Sequence, residues 1–277
     1  CSDALVKYNI FRKYSSAKII RWNHSQISSK DSKKMARVYS YYDRIIAISY
    51  EMAGRLISDL NLQTEKIISI YNPINLEDIK AKSEQSIPED LEKDYLLTVT
   101  RLVDGKGLFE LIEIYKQLKE NGIRNKLYII GNGELKNELQ KKIEEFSLEK
   151  DCILLGARTN PYPYFKRAKL FLFTSESEGL GLVLLESIAL GTPVISMNCP
   201  TGPTEIIGKN NEYGKLIQLH DKDGFCSAVY ELLHNPTLYQ SYIEKSLERG
   251  ADFSKENIEI NIKHLFHQLY NNGLPKP

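Results

Sequence analysis

Residues Leu170 to Ser196 read LFLFTSESEGLGLVLLESIALGTPVIS, and no other stretch restricts the architecture of the chain as tightly. Leu170 to Phe173 is a short apolar run of the kind that forms a strand buried on both faces. Thr174 to Glu178 is polar and reads as a loop. From Gly181 to Leu190 the composition favours a helix, with Leu182, Leu185 and Ala189 recurring at three- and four-residue spacing. Gly191 follows where a helix end wants a residue that tolerates positive φ, and Pro193 bars continuation. Val194 to Ser196 starts another strand. Strand, crossover helix and strand in succession make a βαβ unit, which requires a parallel sheet. The expected fold class is α/β.

Two carboxylates stand inside this unit. Glu178 lies in the loop beside Gly179, Leu180 and Gly181, and Glu186 lies eight positions later, within the helix. Only part of that interval is helical, so both can face one crevice at the carboxyl edge of the sheet, where ligands of open parallel sheets bind. Free N–H groups at a glycine-flanked helix start attract an anion. Carboxylates in the same place accept hydrogen bonds from hydroxyls. A ligand with both phosphate and sugar, such as a nucleotide sugar, suits the combination. Each glutamate alone has a simpler explanation: the macrodipole favours Glu early in a helix, and loop glutamates are ordinarily solvated.

The pair Glu178 and Glu186, within SEGLGLVLLESIALGTPVI, closely resembles the signature of the retaining nucleotide-sugar glycosyltransferases of family 4. That resemblance implies the GT-B fold, two Rossmann-like parallel-sheet domains facing each other across a cleft. Upstream, His24 at a strand end, Asp43-Arg44-Ile45-Ile46-Ala47-Ile48-Ser49 and Tyr71-Asn72-Pro73-Ile74 resemble the second half of that family's amino-terminal domain. By this comparison the first half is absent, and the chain is expected to be an amino-terminally truncated piece. Residues 1–75 are then the second half of the acceptor-side domain. Residues 76–94, charged, with Pro88 and no hydrophobic period, read as a linker. Residues 95–254 form the nucleotide-sugar-binding domain. In 255–277 a terminal helix carries Ile258, Ile262, Leu265, Phe266 and Leu269 on one face and, by resemblance, returns toward the first domain.

Within residues 95–254 the strand Tyr95 to Thr100 leads to Arg101 and Asp104-Gly105-Lys106-Gly107, ahead of a helix from Leu108 to Asn121. A basic pair before a helix N-terminus is placed to neutralise a diphosphate; a capped turn with surface charges accounts for it as well. The resemblance assigns Arg101 and Lys106 to the donor's pyrophosphate. Gly131-Asn132-Gly133 after the next strand is weak evidence for a phosphate loop, and a tight turn explains it equally. Gly156-Ala157-Arg158 ends a further strand; in the family this loop gives backbone contacts to the base. Asn198 to Ile207 resembles the C-P-x-G-P-x-E-I variant of bacterial members that build surface polysaccharides, lipopolysaccharide or lipid-linked oligosaccharides. Asn211 to Gln218 resembles a hairpin-like segment that follows it. Asp221-Lys222-Asp223 matches a metal-binding D-x-D pattern, but it precedes a helix, where an N-cap is the simpler role.

Composition narrows the class. The chain has 277 residues, 42% hydrophobic and 26% charged, and net charge +1, which argues against nucleic-acid binding. Charge is uneven: Cys1 to Arg55 holds eleven Lys or Arg against four Asp or Glu. Such a basic portion fits an anionic partner, a phospholipid surface or a lipid-linked pyrophosphate, and solvated surface charge fits as well. Cysteines at 1, 152, 199 and 226 have neither metal-ligand nor disulfide-framework spacing, which points to a reducing compartment.

The expected reaction moves a hexosyl or N-acetylhexosaminyl group from a nucleoside diphosphate to a glycan or lipid-linked acceptor, with anomeric retention. The expected setting is the cytoplasm, with peripheral contact at the inner membrane. No cofactor and no metal are expected. Catalytic candidates are Glu178, Arg101, Lys106 and His24; donor-binding candidates are Glu186, Gly179, Leu180, Gly181, Gly156, Ala157, Arg158 and Gly131. A nucleotide-sugar epimerase of the same fold, a catalytically incomplete nucleotide-binding fragment and a surface lipoprotein, lipidated at Cys1, stay open as alternatives.

Overall fold

The computed structural model describes residues 18–24 and 32–271. They form two compact units, one from the described residues up to Asn72 together with those from Ile258 onward, the other Pro73–Asn257.

In the first unit, β1 (Ile20–Asn23), β2 (Arg44–Ala47) and β3 (Ile67–Ser69) pair parallel in that order. Helix α1 (Ser32–Tyr39) joins β1 to β2, and α2 (Tyr50–Leu60) follows β2. Ser49 caps α2, its hydroxyl oxygen accepting from Met52 N at 3.1 Å, one of the otherwise orphaned first-turn amides. Asn23 is buried and satisfied: its side-chain oxygen accepts from the Tyr39 hydroxyl at 2.5 Å. The terminal helix α11 (Lys255–Asn271) buries Ile258, Leu265 and Leu269 against Ile46 and Ile70. Phe266, expected on that apolar face, is instead 45% exposed. It follows Leu265 directly, and adjacent helix positions lie about 100° apart around the axis.

The second unit is a six-stranded sheet in the order β6-β5-β4-β7-β8-β9. Its strands are β4 (Leu96–Val99), β5 (Leu127–Ile130), β6 (Cys152–Gly156), β7 (Leu170–Phe173), β8 (Val194–Asn198) and β9 (Lys215–Gln218), every pairing parallel. The near-continuous apolar runs LLTV, LYII and LFLF are what a strand covered on both faces needs. The core gathers Leu96, Ile129, Leu172 and Ile195 of the sheet with Leu111 and Tyr115 of α4 (Leu108–Glu120), Leu139 of α5 (Lys136–Glu145) and Phe225 of α9 (Lys222–His234). The organising stretch forms as expected, β7, then α7 (Leu182–Ala189), then β8, and the short α8 (Pro203–Ile207) follows it. Gly191 takes φ +72° just past α7. The long helix α10 (Pro236–Asp252) packs on α7, with Gly250 so close to Ala189 that a Cβ would lie 3.1 Å from its Cα.

Three expectations meet the structure here. Residues 76–94 are more than a linker, since they carry helix α3 (Leu76–Ser83), capped by Asn75, and belong to the second unit. α3 packs on α6 (Tyr162–Arg167), and Asn160 donates to the Lys82 carbonyl at 2.9 Å. The low hydrophobic content of this helix concealed it, because polar ties do much of its fastening. Asn211–Gln218 is not a hairpin: β9 runs parallel to β8 at the sheet edge. Asp221 is the N-cap of α9, accepting from Gly224 N at 2.8 Å, as expected.

Candidate functional site

Strand order reverses at one place. From β4 the chain winds outward through β5 and β6, then returns to lay β7 on the other side of β4 and winds outward through β8 and β9. β4 and β7 are therefore neighbours, Leu96 opposite Leu170, although seventy-four positions separate those residues. The region outside the carboxyl ends of the strands at such a reversal is the usual ligand seat of an open parallel sheet.

The loops after β4 and β7 are clasped to each other. Glu176 N donates to Gly105 O at 2.9 Å, and the Thr174 hydroxyl donates to Lys106 O at 3.2 Å. Gly107, at φ +61°, starts α4; a Cβ there would lie 2.0 Å from Thr174 O, so no other residue fits. Lys106 is thereby carried to Glu178, with Nζ 2.6 Å from Oε1 and the side chains only 14% and 17% exposed. The Ser175 hydroxyl donates to the same oxygen at 2.6 Å. Charge-assisted bonds of this kind, shielded from water, contribute ~1.5–3 kcal/mol each.

Behind Glu178 runs the loop after β8. Glu178 N donates to Pro200 O at 3.0 Å, and the Thr201 hydroxyl reaches the carbonyls of Glu178 and Gly179, the latter at 3.1 Å. Gly202 presses on Leu180, whose carbonyl a Cβ would meet at 2.1 Å. Leu180 itself is buried, leaving only its backbone for a ligand. Gly181 at φ +85° is the N-cap of α7 and offers no side chain to its first amides.

Glu186 sits in different surroundings, half-buried on α7 with its Oε1 accepting from the Tyr162 hydroxyl at 3.4 Å. Burial pushes its carboxyl up to about 7, against the lowering effect of that hydroxyl. Burial and the adjacent Glu186 push the Tyr162 phenol up to about 12.

The other candidates are less closely gathered. Arg101 is exposed in the loop after β4 and takes no part in the Lys106–Glu178 ion pair. Gly131 ends β5 against β4: a Cβ would stand 1.8 Å from Thr100 O, so backbone packing alone requires the glycine. Gly156 and Ala157 keep their backbone at the end of β6, where Gly156 O accepts from Gly131 N at 3.1 Å. The Arg158 side chain turns to the 76–94 segment, paired with Glu89 and donating to the Tyr164 hydroxyl at 2.9 Å. Tyr164 in turn donates to Glu89 at 2.5 Å. Burial acts to raise the Glu89 carboxyl, but the bonds from Tyr164 and Arg158 hold it below the usual range. His24 lies in the first unit, exposed at the end of β1 with its ring stacked on Trp22 at 6.0 Å. Among the described residues no group of three or more His, Cys, Asp or Glu is set to hold a metal. A groove of about 880 Å³ between α4 and α9, lined by Gln117, Asp223 and Tyr230 among others, shares none of these residues.

Sequence reasoning missed Ser175, Tyr162 and Thr201. The signal for Thr201 was partly there, since Cys199-Pro200-Thr201-Gly202 reads as a rigid loop; nothing local told which carbonyls it would meet.

Comparison with known proteins gives a consistent frame. The N-acetylgalactosamine-N,N'-diacetylbacillosaminyl-diphospho-undecaprenol 4-alpha-N-acetylgalactosaminyltransferase of Campylobacter jejuni is 32% identical over 221 residues, 80% of this chain and 59% of that protein. The amylovoran biosynthesis glycosyltransferase AmsD of Erwinia amylovora is 25% identical over 259 residues, 92% of this chain and 71% of its own length. The chain thus spans well under two thirds of the Campylobacter relative. Anabaena HepE, solved in complex with UDP, superposes with TM-score 0.83 at 18% identity, covering 97% of this chain and 77% of HepE. With its parallel α/β units, the chain has the GT-B fold class of such structures. A family description, glycosyl transferases group 1, matches residues 79–249, and the chain belongs to that family.

Proposed function

We propose that this chain transfers a hexosyl or N-acetylhexosaminyl group from a nucleoside-diphosphate sugar to a hydroxyl of a glycan or lipid-linked acceptor in bacterial surface-polysaccharide or lipopolysaccharide synthesis. The observation that carries the reading is the Lys106–Glu178 ion pair, 2.6 Å across the junction of β4 and β7. An ammonium and a carboxylate held together there match the two halves of a nucleotide sugar, pyrophosphate and hydroxylated ring. The sugars and polymers in the names of the relatives point the same way, and UDP, the nucleotide in the HepE complex, is the favoured donor nucleotide.

In this reading the donor exchanges partners with the ion pair. Lys106, with Arg101 five positions earlier in the same loop, takes the pyrophosphate. Glu178 and the amides near Gly179 and Gly181 take sugar hydroxyls, and Glu186 takes the ribose. As the glycosidic bond breaks, positive charge develops on the anomeric carbon and negative charge on the departing phosphate. Lys106 and Arg101 stabilise the latter, the preorganised electrostatics that dominates much of catalysis. They supply the charge that a divalent ion supplies elsewhere. The acceptor oxygen bonds to the anomeric carbon on the face from which the phosphate leaves, and its proton passes to that phosphate. Retention of configuration, in the manner of family 4, follows from that same-face proton transfer. The basic amino-terminal portion suits peripheral contact with the cytoplasmic face of the inner membrane, and no helix among the described residues is long and apolar enough to cross it.

Titration calorimetry with UDP tests the assignment. Lys106→Met is expected to raise Kd at least tenfold, about 1.4 kcal/mol, and Glu186→Ala to raise it by a similar factor. Unchanged affinity in both variants would sink the proposal.

A further inference from the structure

Thr201 is a buried residue, 0% exposed, with a backbone φ of +37°. For a β-branched side chain that conformation is an outlier, and residues keep such a conformation only where the surroundings over-determine it. Its hydroxyl has one proton and two carbonyls in reach, those of Glu178 and Gly179. On either side the grip continues: Pro200 O takes the Glu178 amide, and Gly202 lies against the Leu180 carbonyl. Three consecutive loop positions, 200 to 202, therefore brace the short turn that carries Glu178. The carboxylate end of that turn faces Lys106 and Ser175, both 2.6 Å from the same oxygen.

We propose that Thr201 is a positioning residue for the donor sugar: its hydroxyl fixes the Glu178–Gly179 turn and so aims the Glu178 carboxylate at a hydroxyl of the transferred sugar. The inference rests on Glu178 being a ligand of that sugar. Thr201 touches no substrate itself. Its effect falls mainly on the sugar half of the donor: Lys106 touches Glu178, but its backbone is carried by the loop after β4, and Glu186 stands on the second turn of α7, so neither needs Thr201 to stay in place for the nucleotide half.

The test uses the full chain and the ratio of two affinities. UDP-glucose, UDP-galactose, their N-acetyl counterparts and GDP-mannose are each titrated against the free nucleoside diphosphate, and the sugar nucleotide with the largest gain over its nucleotide is kept. Thr201→Val preserves shape and removes the hydroxyl; Thr201→Ser restores it. Thr201→Val is expected to cut the gain at least fivefold while nucleotide affinity stays within twofold, and Thr201→Ser to return the gain to within twofold of the parent chain. Glu178→Gln is expected to abolish the same gain. If Glu178→Gln removes it and Thr201→Val does not, the role of Thr201 is overturned and the Glu178 assignment stands. If Glu178→Gln leaves the gain intact, or the parent chain shows none with any donor, both fall. Equal loss of nucleotide and sugar-nucleotide affinity in Thr201→Val marks a purely structural residue and also overturns the proposal.

Discussion

Glu178 and Glu186 belong to one βαβ unit, eight positions apart, and the fold gives them opposite settings. Glu178 sits in a turn braced from behind, its oxygen shared by an ammonium and a hydroxyl. Glu186 sits on a regular helix beside a phenol at 3.4 Å, in surroundings dry enough to push its carboxyl up to about 7. The first is held by other loops and depends on them; the second is held by its own helix and depends on burial. A single short motif thus delivers one carboxylate already matched to a cation and another whose charge is open to adjustment near neutrality.

Disrupting the braced side should give the largest effect. Gly107→Ala forces a Cβ to within 2.0 Å of Thr174 O at a positive φ. We expect ~3 kcal/mol or more of destabilisation in urea unfolding, with the Lys106–Glu178 ion pair broken as the two loops part. A smaller effect, of a different kind, should follow at Glu186. Its folded pKa lies above the unfolded value, so its contribution to stability is present below about 4.5 and falls away as pH rises through about 7. Glu186→Gln should therefore stabilise the chain at pH 8, by on the order of 2 kcal/mol, and hardly change it at pH 4.5. In the parent chain, nucleotide affinity should climb about tenfold from pH 5.5 to 8 and flatten in the variant, as expected of a carboxylate that must ionise to accept ribose hydroxyls. The smallest change belongs to the fastening of the 76–94 segment. Glu89→Gln, which weakens the Arg158 and Tyr164 ties, should cost about 1 kcal/mol and shift UDP affinity less than threefold; a larger shift would show that Arg158 serves the donor directly.

The sheet-forming runs were legible because strands covered on both faces announce themselves as unbroken apolar segments, LFLF and LYII above all. Lys106 and Glu178 could be linked only through resemblance. Their meeting depends on β7 lying beside β4 rather than beside β6, and no local period records which strands become neighbours. Thr201 and Tyr162 were illegible for a related reason: each acts through a hydroxyl aimed across a gap between segments, and such a hydroxyl carries no mark of its target. The 76–94 segment misled because charged composition signals exposure, whereas here Glu89, Glu84 and Gln85 use their polarity to bind neighbours. Phe266 misled in the other direction, an aromatic residue that the helix leaves facing solvent.

The reversal of strand order has an evolutionary corollary. Lys106 and Glu178 lie on the loops leaving the central seam of the sheet and Glu186 on the helix that follows one of them, while β6 and β9 form its outer margins. Insertions, exchanged loops or altered helices at those margins can accumulate without disturbing the seam. A lineage built on this plan is thus free to diversify its periphery while it inherits an unaltered seam.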